Sequence, residues 1–240
     1  LVNHNLNRAK VICSTSEVMG RFVKDNFNVS ETIPIEITPF GVDVSKFKKI
    51  ERKTKTDTLT IGTVKTLRPK YGIDNLIRAF SILVNKGHTN IELKIAGKGF
   101  LLENLQALTR ELGVEDKVQF LGWVENNEVP ALLNTFDIYV APSTLDSESF
   151  GVAIVEASAC NLPVIVTNVG GLPEVVINEE TGIVVDPDNV ELLCEAIEKL
   201  VINPAMRHEM GEAGRENVLT KYEWDSCVRK MVNIYSSVAL

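Results

Sequence analysis

Leu59-Thr60-Ile61-Gly62-Thr63-Val64 and Ile91-Glu92-Leu93-Lys94-Ile95-Ala96 are two short β-rich runs separated by one helical stretch. Between them, Leu76, Ile77, Phe80, Leu83 and Val84 fall on one face of a helix, with Asp74 placed to cap its start and Gly87 its end. A strand, a helix and a second strand in this order require a crossover, and a right-handed crossover makes the two strands parallel neighbours. The same alternation continues outward through Lys117–Leu121, Asp137–Ala141, Pro163–Thr167 and Gly182–Val185. These runs are nearly unbroken in apolar residues, as strands covered on both faces are. A second amphipathic face, Leu192, Leu193, Ala196, Ile197, Leu200 and Val201, is opened by Asp188 with Glu191 three residues on. The expected fold class is α/β, a doubly wound six-stranded parallel sheet.

The two ends read differently. Residues 1–44 hold one apolar run (Lys10–Cys13), one helix (Glu17–Asn26) and a second run (Ile35–Pro39), too little for a domain of their own. Residues 48–57 are polar and charged, as a linker or surface loop is. Beyond Val201, residues 205–218 and 222–238 read as two terminal helices with no strand to follow. The expected organisation is a remnant of a neighbouring domain over 1–44, a ligand-binding domain over 45–220 and a C-terminal helix over 221–240.

Composition narrows the chemistry. The chain has 240 residues, 45% of them hydrophobic, with 25 basic against 32 acidic side chains and a net charge of −7. That balance argues against nucleic acid as a partner, because phosphate backbones need clustered Lys and Arg. No run approaches the ~20 apolar residues of a membrane span, and Leu1-Val2-Asn3-His4-Asn5 does not open a signal peptide. Cys13, Cys160, Cys194 and Cys227 form no C-x-x-C pair and read as core-filling thiols of a reducing compartment, so a cytoplasmic location is expected. The three histidines are scattered, which disfavours a zinc site. Trp123 and Trp224 read as packing residues rather than stacking platforms.

In an open parallel sheet, ligands bind beyond the carboxyl ends of the strands, so the residues that follow each strand carry the functional signal. After the first strand come Lys65, Arg68 and Lys70, which suit a diphosphate or simply a solvated loop. After the second come Gly97-Lys98-Gly99, too short for a dinucleotide fingerprint and as readily a tight turn as a phosphate cradle. After the fourth, Pro142 to Gly151 leads directly into Val152-Ala153-Ile154-Val155-Glu156. There Gly151 allows close approach and the helix start offers amides to an anion. Glu148 stands beside that anion, and Glu156, in so apolar a helix, needs either ribose hydroxyls or an internal ion pair. After the fifth strand, Gly170-Gly171 before Pro173 serve either a close backbone approach or an ordinary turn.

Glu148-Ser149-Phe150-Gly151, with Glu156 eight residues after Glu148, stands among further blocks. These are Asp137-Ile-Tyr-Val-Ala-Pro-Ser143, Asn161-Leu-Pro-Val-Ile-Val-Thr167, Gly170-Gly-Leu-Pro-Glu174 and Thr181-Gly-Ile-Val-Val-Asp-Pro187. Together they resemble the C-terminal, donor-binding domain of the retaining group 1 glycosyltransferases. Those enzymes have two Rossmann-like domains (the GT-B architecture), as in glycogen synthase and sucrose synthase. The resemblance starts at about Thr38-Pro-Phe-Gly-Val-Asp43, which is similar to the family's hinge, and runs to the end of the chain. It implies a Rossmann-like sheet and a nucleoside-diphosphate sugar as donor, with no metal and no further cofactor. It assigns Glu148 to the donor sugar's hydroxyls and Glu156 to the ribose. Lys65 and Lys70 fall to the diphosphate, with Lys65 where the family carries Arg. The backbone amides of Ser149, Phe150, Gly151 and Val152 fall to the sugar and distal phosphate, and Val124 and Asn126 to the edge of the base.

By the same resemblance, an N-terminal Rossmann domain carrying the acceptor site is the missing partner, and any peripheral contact with a membrane is expected through it. The chain alone is then expected to be an inactive fragment of a transferase acting with retention. A non-catalytic nucleotide-binding or scaffolding module is the alternative that these shared binding residues leave open.

Overall fold

The computed structural model describes residues 2–52 and 57–239, so part of the expected linker, residues 53–56, lies outside the described residues. The chain opens with α1 (Val2–Leu6), β1 (Ile12–Ser14), α2 (Glu17–Asn26) and β2 (Ile35–Ile37). It continues through β3 (Leu59–Val64), α3 (Ile73–Asn85), β4 (Ile91–Ala96), α4 (Leu102–Glu111), β5 (Val118–Gly122) and α5 (Val129–Leu133). Then come β6 (Ile138–Ala141), α6 (Val152–Ala159), β7 (Val164–Thr167), α7 (Leu172–Val175) and β8 (Gly182–Val185). It closes with α8 (Val190–Ile202), α9 (Pro204–Lys221) and α10 (Trp224–Ala239).

Strands β3 to β8 form one six-stranded sheet in the order β5-β4-β3-β6-β7-β8, with every pairing parallel. All six runs expected from the sequence are strands, each within one residue of its expected bounds. The chain lays β4 and β5 on one side of β3, then crosses back to place β6 on the other. That reversal makes a topological switch point between β3 and β6, and the crevice at their carboxyl ends is where such a sheet takes a ligand.

Both faces of the sheet are covered, which is why its strands read as apolar runs. On one side Leu76, Ile77 and Phe80 of α3 and Leu193, Ile197 and Leu200 of α8 pack with Leu105 of α4. On the other, Ile154 and Val155 of α6 join Leu133, Phe136, Leu172 and Val218. Gly62 inside β3 is explained by this second layer, since a Cβ there would lie 2.2 Å from the Phe136 ring.

Two expected helix caps are corrected. Helix α3 starts after Gly72, and Asp74 lies inside its first turn rather than at the cap. Pro69–Tyr71 form a 3-10 turn that Gly72 ends in the left-handed region, so backbone geometry decides this boundary in place of a side-chain cap. For α8, the Asn189 side chain accepts from the Leu192 amide, one residue later than the expected Asp188.

The N-terminal segment forms a separate two-stranded parallel sheet, β1 with β2, crossed by α2. It is fastened to the larger unit at the α2 start. The Glu174 carboxylate accepts from the Glu17 and Val18 amides at 2.8 and 2.7 Å, and the Ser16 hydroxyl donates to the Ser149 carbonyl at 2.7 Å. Helix α10 returns to this segment, where Lys10 Nζ donates to the Val238 carbonyl. The connecting strand of chain is held by Arg215, which donates to the carbonyls of Val44, Phe47 and Ala159.

Candidate functional site

Lys65 leaves the carboxyl end of β3, at the switch point. Its backbone is braced by the loop after β4: the Lys65 amide donates to the Ala96 carbonyl and the Leu67 amide to the Lys98 carbonyl. The glycines of Gly97-Lys98-Gly99 make that bracing possible. A Cβ at Gly97, where φ is +137°, would lie 1.9 Å from the Lys65 carbonyl oxygen, and one at Gly99 2.1 Å from that of Leu67. Close backbone packing therefore accounts for both glycines.

Glu148 comes from the loop after β6, on the other side of the switch point. That loop is tied to both neighbours. The Thr144 amide donates to the Lys70 carbonyl at 2.9 Å, and the Gly171 amide to the Glu148 carbonyl at 2.7 Å. Gly170 has φ of +51° and a Cβ there would lie 2.1 Å from the Glu148 carbonyl oxygen, so the glycine pair serves a close approach as well as a turn.

These two loops bring the charged groups together. Lys65 Nζ lies 2.8 Å from one Glu148 carboxylate oxygen and Lys70 Nζ 3.7 Å from the other. Glu148 is 8% exposed. A buried carboxylate flanked by two ammonium groups is stable only because the charges answer each other. Arg68, the third cation of that loop, is exposed and takes no part in the cluster.

Beside the cluster runs a cleft of about 1060 Å³, lined by Lys65, Val124, Asn126, Val152 and Glu156 among others. Glu156 projects from the second turn of α6, and among the described residues it has neither a hydrogen bond nor an ion pair. The internal ion pair, one of the two alternatives open for Glu156, is thus not formed among the described residues. Burial alone pushes its carboxyl up to about 7. Because this acid binds its proton more tightly folded than unfolded, its contribution to stability is full at low pH and is lost as pH rises through about 7. Glu156→Gln should therefore raise stability by about 3 kcal/mol at pH 8 and much less at pH 5. Chemical denaturation at the two pH values checks this, and an equal change at both would contradict it.

The remaining expected residues divide by side chain and backbone. Phe150 is buried, its ring edge-on to Phe40 and Tyr222 at 5.8 and 5.6 Å, which leaves only its backbone for a ligand. The Ser149 carbonyl is occupied by Ser16. Gly151, at φ +103°, starts α6, whose first two amides, those of Val152 and Ala153, have no carbonyl within the helix to bond.

Tyr71, Lys98 and Trp123 also line the cleft; Tyr71 had no role expected of it, Lys98 stood only within the Gly97-Lys98-Gly99 turn, and Trp123 was expected to pack. Trp123 is 57% exposed, its Nε1 donates to Glu125 at 2.8 Å, and Lys98 Nζ lies 4.7 Å from the centre of its ring. The packing role expected of Trp123 is therefore incorrect, as is that of Trp224, which is 53% exposed. The position of Trp123, just past the end of β5, was the available signal.

Among the described residues, no cluster of three or more His, Cys, Asp or Glu is placed to hold a metal ion. No helix among them is long and apolar enough to cross a membrane.

Residues 44–217 match the family model described as "Glycosyl transferases group 1". The chain belongs to the group 1 glycosyltransferases. It is 32% identical, over 212 residues, to a GDP-mannose-dependent alpha-(1-6)-phosphatidylinositol monomannoside mannosyltransferase of Mycobacterium tuberculosis. That match covers 83% of this chain and 55% of the relative, so the chain spans about half the length of the curated relatives it matches.

Among solved structures it is similar to the sucrose-phosphate synthase of Thermosynechococcus elongatus, with a TM-score of 0.86 and 24% identity over 99% of this chain and 60% of that one. It is also similar to the Anabaena protein HepE, solved in complex with UDP, with a TM-score of 0.85 and 19% identity over 99% and 69% of the two chains. At these identities the structures speak for the fold, which is the Rossmann-like half expected of a GT-B glycosyltransferase.

Proposed function

We propose that this chain is the donor-binding half of a glycosyltransferase that takes a sugar from a nucleoside-diphosphate sugar and passes it, with retention, to an acceptor hydroxyl. The observation that carries the reading is the meeting of Lys65, Lys70 and Glu148 at the switch point, with Lys65 also lining the cleft that holds the partnerless carboxylate of Glu156. In this reading Lys65 and Lys70 take the diphosphate and neutralise the charge that grows on it as the bond to the sugar breaks. Glu148 exchanges its lysine partners for hydroxyls of the donor sugar, and Glu156 accepts from the ribose. Val124 and Asn126 border the base, and the amides at the start of α6 face the sugar and distal phosphate. The acceptor hydroxyl attacks from the face that the leaving group vacates.

The pairing of Lys65 with Glu148 fits this scheme. The two groups lie 2.8 Å apart and largely shielded from solvent, each serving as the other's stand-in ligand. The relatives' greater length supports the idea that the acceptor side belongs to a second domain. Without that domain the acceptor is unplaced, and an orientation advantage of several kcal/mol is missing.

Calorimetric titration with UDP, GDP and a matching nucleotide sugar tests the reading. The chain is expected to bind a nucleoside diphosphate weakly and to transfer no sugar. Absence of any nucleotide binding would refute the donor-site reading; sugar transfer by the chain alone would refute its status as a half.

A further inference from the structure

The donor-site reading leaves Tyr71 unexplained. Its ring centre lies 4.7 Å from Lys65 Nζ and 4.8 Å from Lys70 Nζ, so one ring serves both ammonium groups. The face of an aromatic ring is electron-rich and attracts a cation within about 6 Å. Other anchors for these lysines are unequal. Lys65 has a Glu148 oxygen at 2.8 Å. Lys70 has only the second oxygen at 3.7 Å and the Ser147 hydroxyl at 3.5 Å, both too long to fix its head.

We propose that Tyr71 is a positioning residue for the cationic pair, holding both lysine heads on its ring so that they converge where the diphosphate sits. The inference rests on the donor-site reading above. Its physical content is that lysine is a point charge on a flexible stem, whereas arginine brings its own rigid fork. A chain that has Lys65 and Lys70 there needs an outside surface to limit their wandering, and the ring supplies it.

The ring is itself well placed to do so. Residues 69–71 form a 3-10 turn, closed by the Tyr71 amide on the Arg68 carbonyl and the Gly72 amide on that of Pro69, each at 3.1 Å. Gly72 is locked, since a Cβ there would lie 2.1 Å from the Pro142 carbonyl oxygen. The side chain is half-buried and packs against the core cluster under α3. Among the described residues its hydroxyl has no hydrogen-bond partner, so the ring is the working part.

The test titrates the whole chain with UDP and GDP and follows thermal unfolding of each variant. Tyr71→Phe should bind within about twofold of wild type, while Tyr71→Leu, apolar but without a π face, should bind roughly tenfold more weakly. Phenylalanines of increasing fluorination at position 71 keep the ring's shape while weakening its negative face. Affinity should fall stepwise along that series at an unchanged unfolding temperature. Should Tyr71→Leu fail to fold, the fluorinated series still decides. A flat series, with Lys65→Ala still losing affinity, overturns the role of Tyr71 and leaves the donor-site reading intact. A wild-type affinity in Lys65→Ala overturns that reading, and this inference with it.

Discussion

Lys65→Ala should weaken binding of a bare nucleoside diphosphate by about 1.5–3 kcal/mol, roughly ten- to a hundredfold, as expected for hydrogen bonds to charged groups. Lys70→Ala should act in the same direction. Its loss should shrink more in high salt, because the Lys70 side chain is 32% exposed against 13% for Lys65. Glu148→Ala should do the opposite to the bare diphosphate. The carboxylate repels a diphosphate and holds Lys65 at 2.8 Å, so its removal frees that lysine and tightens the bare ligand. The nucleotide sugar, deprived of its hydroxyl acceptor, should bind less well to the same variant. Glu156→Ala should weaken both ligands, since both carry the ribose. Calorimetry with the two ligands on the four variants separates these roles. Equal losses for both ligands in Glu148→Ala would reduce Glu148 to a residue that only orders its loop.

A second large effect is expected at Gly170. Gly170→Ala meets the Glu148 carbonyl oxygen at 2.1 Å and that of Asp146 at 2.9 Å, with φ at +51°. Neither neighbour is a flexible side chain, so the loop that carries Glu148 must move. Strain and overpacking together should cost about 2–4 kcal/mol of stability. The displaced carboxylate should also erase the preference for nucleotide sugar over the bare diphosphate. Gly87→Ala is the natural control: φ is +97°, but an added Cβ meets nothing within 4 Å. It should cost about 1 kcal/mol and leave ligand preference unchanged. Matching losses in the two variants, by denaturation and by titration, would contradict the clash at Glu148.

The sheet was legible because burial on both faces leaves a local mark, an apolar run such as Val164–Thr167, that needs no knowledge of the partner. Helix starts were less so. Asp74 is a good cap in isolation, but the 3-10 turn at Pro69–Tyr71 and the left-handed Gly72 settle where α3 begins. The site divides in the same way. Lys65, Lys70 and Glu148 could be named from strand ends and family resemblance, yet their ion pair joins residues 83 positions apart and has no local signature. Tyr71 and Trp123 were hidden for another reason. Tyr71 stood among the cations of its loop with no mark of its own and Trp123 read as packing, and only the fold turns these two toward the cleft. Gly97 and Gly99 carried a signal that was visible but ambiguous, and the backbone of Lys65 and Leu67 against them resolves it.

The most direct measurement of the central claim is a crystal structure of this chain with a nucleoside diphosphate bound. The account predicts the diphosphate within hydrogen-bond reach of Lys65 Nζ and Lys70 Nζ, the Lys65–Glu148 contact lengthened from 2.8 Å, and the ribose hydroxyls on Glu156. A nucleotide seated away from the β3–β6 switch point, with the Lys65–Glu148 pair untouched, would contradict it.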